Sequence, residues 1–125
     1  MTFRFGRHTN DLERIKSFYI TVLEFELLGG FENHNGYDGI FLGKSNANWH
    51  LEFTKSNDVV PFNFGDEDIL VFYPNSKLEY EIMLDKIKLH SIEFIAAKNP
   101  YWNDNGKMFL DPDGYRIVIS NKIIT

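Results

Sequence analysis

Two side chains that can transfer protons or hold a metal ion lie two positions apart in the segment 48–54. His50 and Glu52 occupy alternate positions of a predicted β-strand, and alternate side chains point to the same face of a sheet. His8 has the parity of Arg4 in the first predicted strand, so a regular strand directs both to one face. Two imidazoles and one carboxylate are typical of open zinc and non-haem iron sites. His8, His50 and Glu52 are therefore a candidate metal site, in which Glu52 and His50 are also the candidate catalytic groups.

His50 and Glu52 have a second interpretation, in which they pair with an arginine instead of a metal ion. An ionised carboxylate that faces a partly buried cavity needs a partner, and Arg4 or Arg7 can pair with Glu52. A guanidinium also binds anionic ligands, because its donors form a fork that matches a carboxylate or a phosphate. Arg4 and Arg7 are three positions apart, so a regular strand places them on opposite faces. The sign of the ligand's charge stays open, since net acidity favours a cation and an inward arginine favours an anion.

Other candidate ligand contacts lie in predicted turns and loops. His34 belongs to the turn 33–36, where polar side chains commonly face water. Tyr101 and Trp102 lie in the predicted loop 98–106. Exposed rings are costly, so we expect these two to close one end of a cavity, to pack against the other half of the chain, or to form a dimer contact.

Composition narrows the functional classes. The chain has 125 residues, enough for one domain, and its lack of cysteine excludes thiolate nucleophiles and Cys-type metal sites. The net charge of −5 and the absence of a basic run argue against nucleic acid as a partner. No apolar run approaches the roughly 18 residues of a membrane span, and we expect a cytoplasmic protein. The motifs of P-loop, dinucleotide-binding, serine hydrolase and zinc protease sites are absent.

The elements that position these residues repeat in the same order. The first half predicts a strand at 2–8, a helix at 11–23, and strands at 25–31, 37–43 and 48–54. Asn10 is the predicted N-cap of that helix, with Glu13 completing a capping box. The second half predicts a strand at 68–73, a helix from a Ser76 cap to about residue 89, and strands at 92–97, 107–110 and 115–120. Two βαβββ modules, about 1–55 and 66–125, therefore form one α+β domain.

Two motifs in this repeated frame resemble the vicinal oxygen chelate superfamily, which includes glyoxalase I, extradiol dioxygenases, and fosfomycin and bleomycin resistance proteins. The helix motif comprises residues 10–13 (NDLE), 18–19 (FY) and 22–25 (VLEF). The hairpin motif is FLDPDGY at residues 109–115. The segments 31–39, 50–54 and 99–102 are also similar to a small bacterial branch of glyoxalase-like proteins with no assigned reaction.

The resemblance implies tandem βαβββ modules whose curved sheets form an open cavity. It also implies metal-ligand positions at Arg4, Glu52, Ile69 and Val118. Because only Glu52 among these can coordinate a divalent ion, we expect the usual metal site to be lost and no cofactor to be needed.

The leading functional prediction from this resemblance is a protein of the glyoxalase and bleomycin-resistance type that binds a small molecule and forms a homodimer. The alternative is a metal-dependent lyase, isomerase or thiol transferase with a rearranged His and Glu site that holds a divalent metal. A third class is a structural dimer with a filled core.

Overall fold

Alternation of apolar and polar residues in the first half of the chain produces a four-stranded sheet. The computed structural model describes residues 1–124 and divides into two compact units, Met1–Pro61 and Phe62–Thr125. The first unit consists of β1 (Phe3–His8), α1 (Leu12–Thr21), β2 (Glu26–His34), β3 (Tyr37–Gly43) and β4 (Trp49–Lys55). The strand order is β1-β4-β3-β2, with β1 parallel to β4 and the other neighbours antiparallel.

Helix α1 packs on one face of this sheet. Ile15 and Tyr19 are fully buried on the helix, and the Tyr19 ring lies 5.1 Å from the ring of Phe53, centroid to centroid. Leu42 and Leu51 are buried in the strands of the same unit. Burial of such side chains supplies most of the favourable free energy of folding. Because side chains alternate along a strand, the residues between them point to the opposite face of the sheet.

The predicted N-cap of α1 was wrong by one residue. The cap is Asp11, whose Oδ1 accepts a hydrogen bond from the Arg14 backbone N at 3.0 Å. Asn10 instead binds the backbone of Val60 twice, donating through Nδ2 to the carbonyl at 2.8 Å and accepting from the amide at 3.0 Å. An amide side chain can satisfy both backbone groups because it carries a donor and an acceptor, whereas an N-cap needs only an acceptor.

Strand β2 runs three residues beyond its predicted end at residue 31, so that His34 belongs to the strand rather than to the turn. The turn itself has only two central residues, Asn35 and Gly36, whose φ angles are 54° and 85°. Positive φ at both positions is the requirement of a tight hairpin turn, which Asn-Gly meets at low cost. A register shift between Phe31 and His34 in the pairing with β3 accommodates the longer strand.

The second unit contains a three-stranded sheet and two helices. Its elements are β5 (Ile69–Phe72), α2 (Lys77–Leu89), α3 (Pro100–Asp104), β6 (Gly106–Leu110) and β7 (Arg116–Ser120), with strand order β5-β7-β6. The predicted cap of α2 is confirmed, because the Glu79 backbone N donates to Ser76 Oγ at 3.1 Å. The Glu79 carboxylate in turn accepts from the Asn75 backbone N at 2.8 Å. No helix within residues 1–124 combines the length and the apolar character that a membrane span requires.

Two predictions for the segment 92–106 were wrong. The expected strand at 92–97 forms only one bridge, between Ile95 and Met108. The pairing does not extend to Ala97, because the backbone of Ala97 is bound by the side chain of Asn103. Asn103 accepts a hydrogen bond from the Ala97 backbone N at 2.7 Å and donates one to the Ala97 carbonyl at 3.0 Å. The expected loop contains α3, which begins with Pro100 after an Asn99 cap. Asparagine followed by proline is a common helix start, so this signal was present in the sequence.

Candidate functional site

The polar face of the first sheet brings most of the candidate residues together. The register of β1 and β4 places Arg4 beside His50, Gly6 beside Glu52 and His8 beside Thr54. The register of β3 and β4 adds Phe41 beside Glu52 and Gly39 beside Thr54. We call this surface the site face; its side chains are Arg4, His8, Phe31, His34, Tyr37, Phe41, His50, Glu52 and Thr54.

Arg4 is held in place by three neighbours on the site face. Its Nε donates to His50 Nε2 at 2.8 Å, and its Nη1 donates to Glu52 Oε2 at 3.3 Å. The guanidinium carbon also lies 4.5 Å from the centroid of the Phe41 ring, within the range of a cation–π contact. The Arg4 side chain is 48% exposed and that of Glu52 is 19% exposed. The guanidinium is therefore oriented by the protein while remaining accessible from solvent.

The Arg4 contact also determines which nitrogen of His50 carries the proton. The Nε of arginine always carries a hydrogen, so the His50 Nε2 that meets it must accept. A neutral imidazole that accepts at Nε2 has its proton on Nδ1. His50 therefore carries its proton on Nδ1, the ring nitrogen that does not contact Arg4.

The predicted metal set of His8, His50 and Glu52 is not formed. His8 shares the site face, but its Nδ1 lies 3.1 Å from Thr54 Oγ1, and its ring meets the Tyr37 ring edge-on at 6.1 Å. Four residues along a strand span roughly 13 Å, which separates His8 from the row that contains His50. Across residues 1–124, no three His, Asp or Glu side chains come close enough together to hold a metal ion.

Arg7 lies on the opposite face of the sheet, as the three-residue spacing predicts. Its guanidinium carbon is 4.9 Å from the centroid of the Phe53 ring, on the side that packs against α1. Arg7 therefore belongs to the packed side of the first unit rather than to the site face.

A row of rings continues the site face towards the hairpin. Phe31 lies 6.1 Å from Phe41 and 6.2 Å from His34, measured between ring centroids. The Phe31 ring lies directly over Gly39, where an added Cβ would come within 2.4 Å of it. Phe31 and Phe41 were not among the sequence candidates, although alternation along β3 places Phe41 and Gly39 on one face. Glycine on that face was the available signal, because it marks a close approach by another group.

The corresponding residues of the second unit form an apolar cluster. Val118 and Met108 are buried with Ala97, and Ile69 and Trp102 pack against them. Ile69 and Val118, the two ligand positions that the resemblance implied here, therefore offer hydrocarbon and no donor atom to a metal, and they do not fit one. Trp102 packs within its own unit, an arrangement that the sequence analysis did not include, while Tyr101 stays 49% exposed.

The fold class is established by comparison with known structures. Leishmania major glyoxalase I matches with a TM-score of 0.76 and 18% identity, over 97% of this chain and 86% of that one. TnmS3, an antibiotic binding protein from Streptomyces sp. CB03234, matches with a TM-score of 0.69 and 20% identity, over 96% and 93% of the two chains. The protein has the α+β fold of the glyoxalase and bleomycin resistance superfamily.

A narrower relationship is visible in the sequence. The YycE-like N-terminal domain matches residues 3–54, and the YycE-like C-terminal domain matches residues 67–121. The protein named Uncharacterized protein YycE from Bacillus subtilis (strain 168) is 38% identical over 120 residues, which cover 94% of this chain and 86% of the relative. The crystal structure of a Bacillus subtilis YycE protein of unknown function matches with a TM-score of 0.85 and 35% identity, over 99% and 91% of the two chains. The chain belongs to the YycE-like family.

Proposed function

We propose that this protein binds a small organic molecule on the site face, without a metal ion. The observation that supports the proposal is that three contacts orient the Arg4 side chain. These are hydrogen bonds to His50 at 2.8 Å and to Glu52 at 3.3 Å, and a cation–π contact with the Phe41 ring at 4.5 Å. An exposed arginine normally loses side-chain entropy when it is ordered by a ligand. Arg4 has already lost much of that freedom, so a ligand that binds it meets a preorganised guanidinium.

The ligand class follows from the groups that remain available. Arg4 uses Nε and Nη1 for its contacts with His50 and Glu52, and its side chain is 48% exposed, so the guanidinium has further N–H donors for a ligand. Charged N–H donors in a planar fork suit a carboxylate. Phe31 and Phe41 supply ring faces at the same surface, and aromatic faces favour a flat ligand. We therefore propose a planar aromatic acid as the ligand class.

The enzymatic alternative has weaker support. A rearranged metal site needs at least three coordinating side chains, and His8 lies with Thr54 rather than with His50 and Glu52. Arg4 also occupies the space between His50 and Glu52, where its charge would repel a cation. These contacts favour binding through Arg4 over coordination of a divalent ion.

The proposed setting is the cytoplasm, with the protein acting as a homodimer and with a small molecule rather than nucleic acid as its ligand. The net charge of −5 supports the last point, because nucleic-acid binding requires a surface with excess positive charge.

Protein-observed NMR tests both the place and the class of the ligand. Salicylate is the probe, and benzylamine and cyclohexanecarboxylate are its comparators, in titrations of 15N-labelled protein. We expect salicylate to shift the amides of Gly6, Gly39 and Phe41, with a dissociation constant on the order of 1 mM for so small a probe. Cyclohexanecarboxylate should bind more weakly because it lacks a flat face.

The matched variants are Arg4→Met and Arg14→Met. Arg14 is an exposed arginine of α1, so its loss changes the net charge equally without touching the site face. Salicylate binding should weaken at least about tenfold in Arg4→Met, because the charged donor is lost, and should be unchanged in Arg14→Met. If only benzylamine shifts the site-face amides, the ligand class is wrong; if none of the three does, the binding function is wrong as well.

A further inference from the structure

The site face has polar side chains at two ends. At one end, Arg4 donates to His50 at 2.8 Å and to Glu52 at 3.3 Å. At the other end, His8 Nδ1 lies 3.1 Å from Thr54 Oγ1. The proposed function uses only the first end, so the polar groups of the second end are not explained by it.

Two rings enclose the second end. The rings of His8 and Tyr37 meet edge-on, with their centroids 6.1 Å apart. They come from β1 and β3, the two strands that flank β4, so they meet across the strand that carries Thr54. The contact between His8 and Thr54 is part-buried. A ligand group that reaches these two residues is therefore partly shielded from water, which strengthens its hydrogen bonds.

The stretch between the two ends has room for a flat ligand. Arg4 and His8 are four residues apart in β1, and four residues of a strand span roughly 13 Å. Gly6 lies midway between them, is exposed and has no side chain. A Cβ added at Gly6 would have Glu52 Oε1 as its nearest neighbour, at 3.6 Å. A ligand whose carboxylate binds Arg4 can therefore extend over Gly6 to the second end.

We propose that His8 and Thr54 form a second subsite, which binds a hydroxyl group of the ligand. This inference rests on the proposed function, because it requires the ligand's carboxylate to lie at Arg4. The ligand class is then an elongated aromatic acid, with a carboxylate and a hydroxyl at opposite ends of one flat molecule.

The hydrogen-bonding capacity of the second end suits a hydroxyl. If His8 Nδ1–H donates to Thr54, then His8 Nε2 is an acceptor; if Thr54 donates to Nδ1, then Nε2 carries the hydrogen. A phenol hydroxyl matches both arrangements because it can donate and accept. An ionised carboxylate only accepts, so it matches one of them.

The span between the ends selects the shape of the acid. In salicylate the hydroxyl is next to the carboxylate, so one molecule cannot reach both ends. In 4-hydroxycinnamate the ring and a propenoate chain separate the two groups, and conjugation keeps the molecule flat. Cinnamate lacks the hydroxyl, and 2-hydroxycinnamate carries it near the propenoate chain. These three cinnamates are therefore the probes.

NMR titrations of 15N-labelled protein measure what the hydroxyl contributes. We expect 4-hydroxycinnamate to bind at least about fivefold more tightly than cinnamate, which is the effect of about one hydrogen bond. It should also shift the amides of His8 and Thr54 more than cinnamate does. The hydroxyl of 2-hydroxycinnamate should give no such gain, because it lies at the wrong end of the ring.

Two variants test whether the two side chains cause this gain. Thr54→Val removes the hydroxyl and keeps a branched side chain, which strands favour. His8→Phe keeps a ring and removes both nitrogens. In either variant the advantage of 4-hydroxycinnamate over cinnamate should fall to about twofold or less. Thr21→Val and His90→Phe, at exposed positions at the ends of α1 and α2, should keep the full advantage.

The outcomes separate this inference from the proposed function. If the natural chain binds 4-hydroxycinnamate no more tightly than cinnamate, or if the gain survives in Thr54→Val and His8→Phe, the second subsite is wrong. Binding of cinnamate that depends on Arg4 would still support the proposed function in that case. If neither cinnamate nor 4-hydroxycinnamate shifts the site-face amides, both proposals are wrong.

Discussion

At the scale of single residues, the positive charge on the site face is that of the Arg4 guanidinium and not that of a bound metal ion. The position that the superfamily resemblance assigns to a metal ligand is Arg4, whose guanidinium carries a permanent positive charge. His50 and Glu52 hold that charge at 2.8 and 3.3 Å. Alternation along a strand predicted that His50 and Glu52 share a face, and it predicted that Arg4 and Arg7 do not. It could not predict the hydrogen bonds, because these depend on the register between β1 and β4, which lie far apart in the sequence.

Gly39 is the residue whose replacement tests the ring row directly. In Gly39→Ala the new methyl group would come within 2.4 Å of the Phe31 ring, so the ring or the strand must move. We expect a loss of about 1–3 kcal/mol in the free energy of unfolding, measured by urea denaturation. Gly6→Ala is the matched control, since its nearest neighbour would be Glu52 Oε1 at an ordinary 3.6 Å. Equal losses in the two variants would contradict the contact between Phe31 and Gly39.

At the scale of the elements, hydrophobic periodicity predicted the strands and long helices well, and side-chain hydrogen bonds explain where it failed. The strand β3 was predicted with both ends correct, because its turn residues are unambiguous. The start of α1 was predicted one residue early because Asn10 and Asp11 are both good caps, and only the position of Val60 decides between them. The strand predicted at 92–97 does not continue from the Ile95 bridge to Ala97, because Asn103 takes the backbone groups of Ala97, a contact that no local pattern reveals.

Asn10→Asp distinguishes the two roles of Asn10. Aspartate caps helices as well as asparagine, so a capping residue would tolerate the change. Asn10 instead donates to the Val60 carbonyl at 2.8 Å, and aspartate has no hydrogen to donate. We expect thermal or urea unfolding to show a loss of about 1–2 kcal/mol. Ser76→Ala, which removes the confirmed cap of α2, should cost about 1 kcal/mol and serves as the reference. A neutral Asn10→Asp variant would show that the contact with Val60 contributes nothing.

At the scale of the whole molecule, the two units differ in what their sheets present. The first unit carries the site face with Arg4 and Glu52, whereas the second has the apolar Ile69 and Val118 at the other two implied ligand positions, packed with Met108 and Trp102. Sequence alone predicted the order of strands and helix in the first unit, because that half has its own capping and turn signals. The second unit departs from the predicted repeat, because the strand at 92–97 is reduced to one bridge and α3 follows it. Sequence alone did not predict the apolar cluster, since Trp102 reaches it from α3, an element that the sequence analysis interpreted as a loop.

Metal addition and removal test the whole chain at once. Residues 1–124 contain no group of three His, Asp or Glu side chains suited to a metal, so we expect too little metal binding to stabilise the folded state measurably. We expect EDTA to leave the melting temperature unchanged, and we expect manganese, nickel, zinc and ferrous iron to raise it by less than about 1 °C. A stoichiometric metal whose stabilisation disappears in Glu52→Gln would refute the metal-independent proposal.

The packing of Trp102 over the second sheet has a consequence for genetics. Because Met108 and Val118 are almost completely buried in that cluster, replacing either with a smaller residue leaves a cavity and lowers the folded fraction. A mutational scan in cells that reads protein abundance would then divide the chain in two. Substitutions that shorten Met108 or Val118 would lower abundance, while substitutions at the half-exposed Arg4 would keep it.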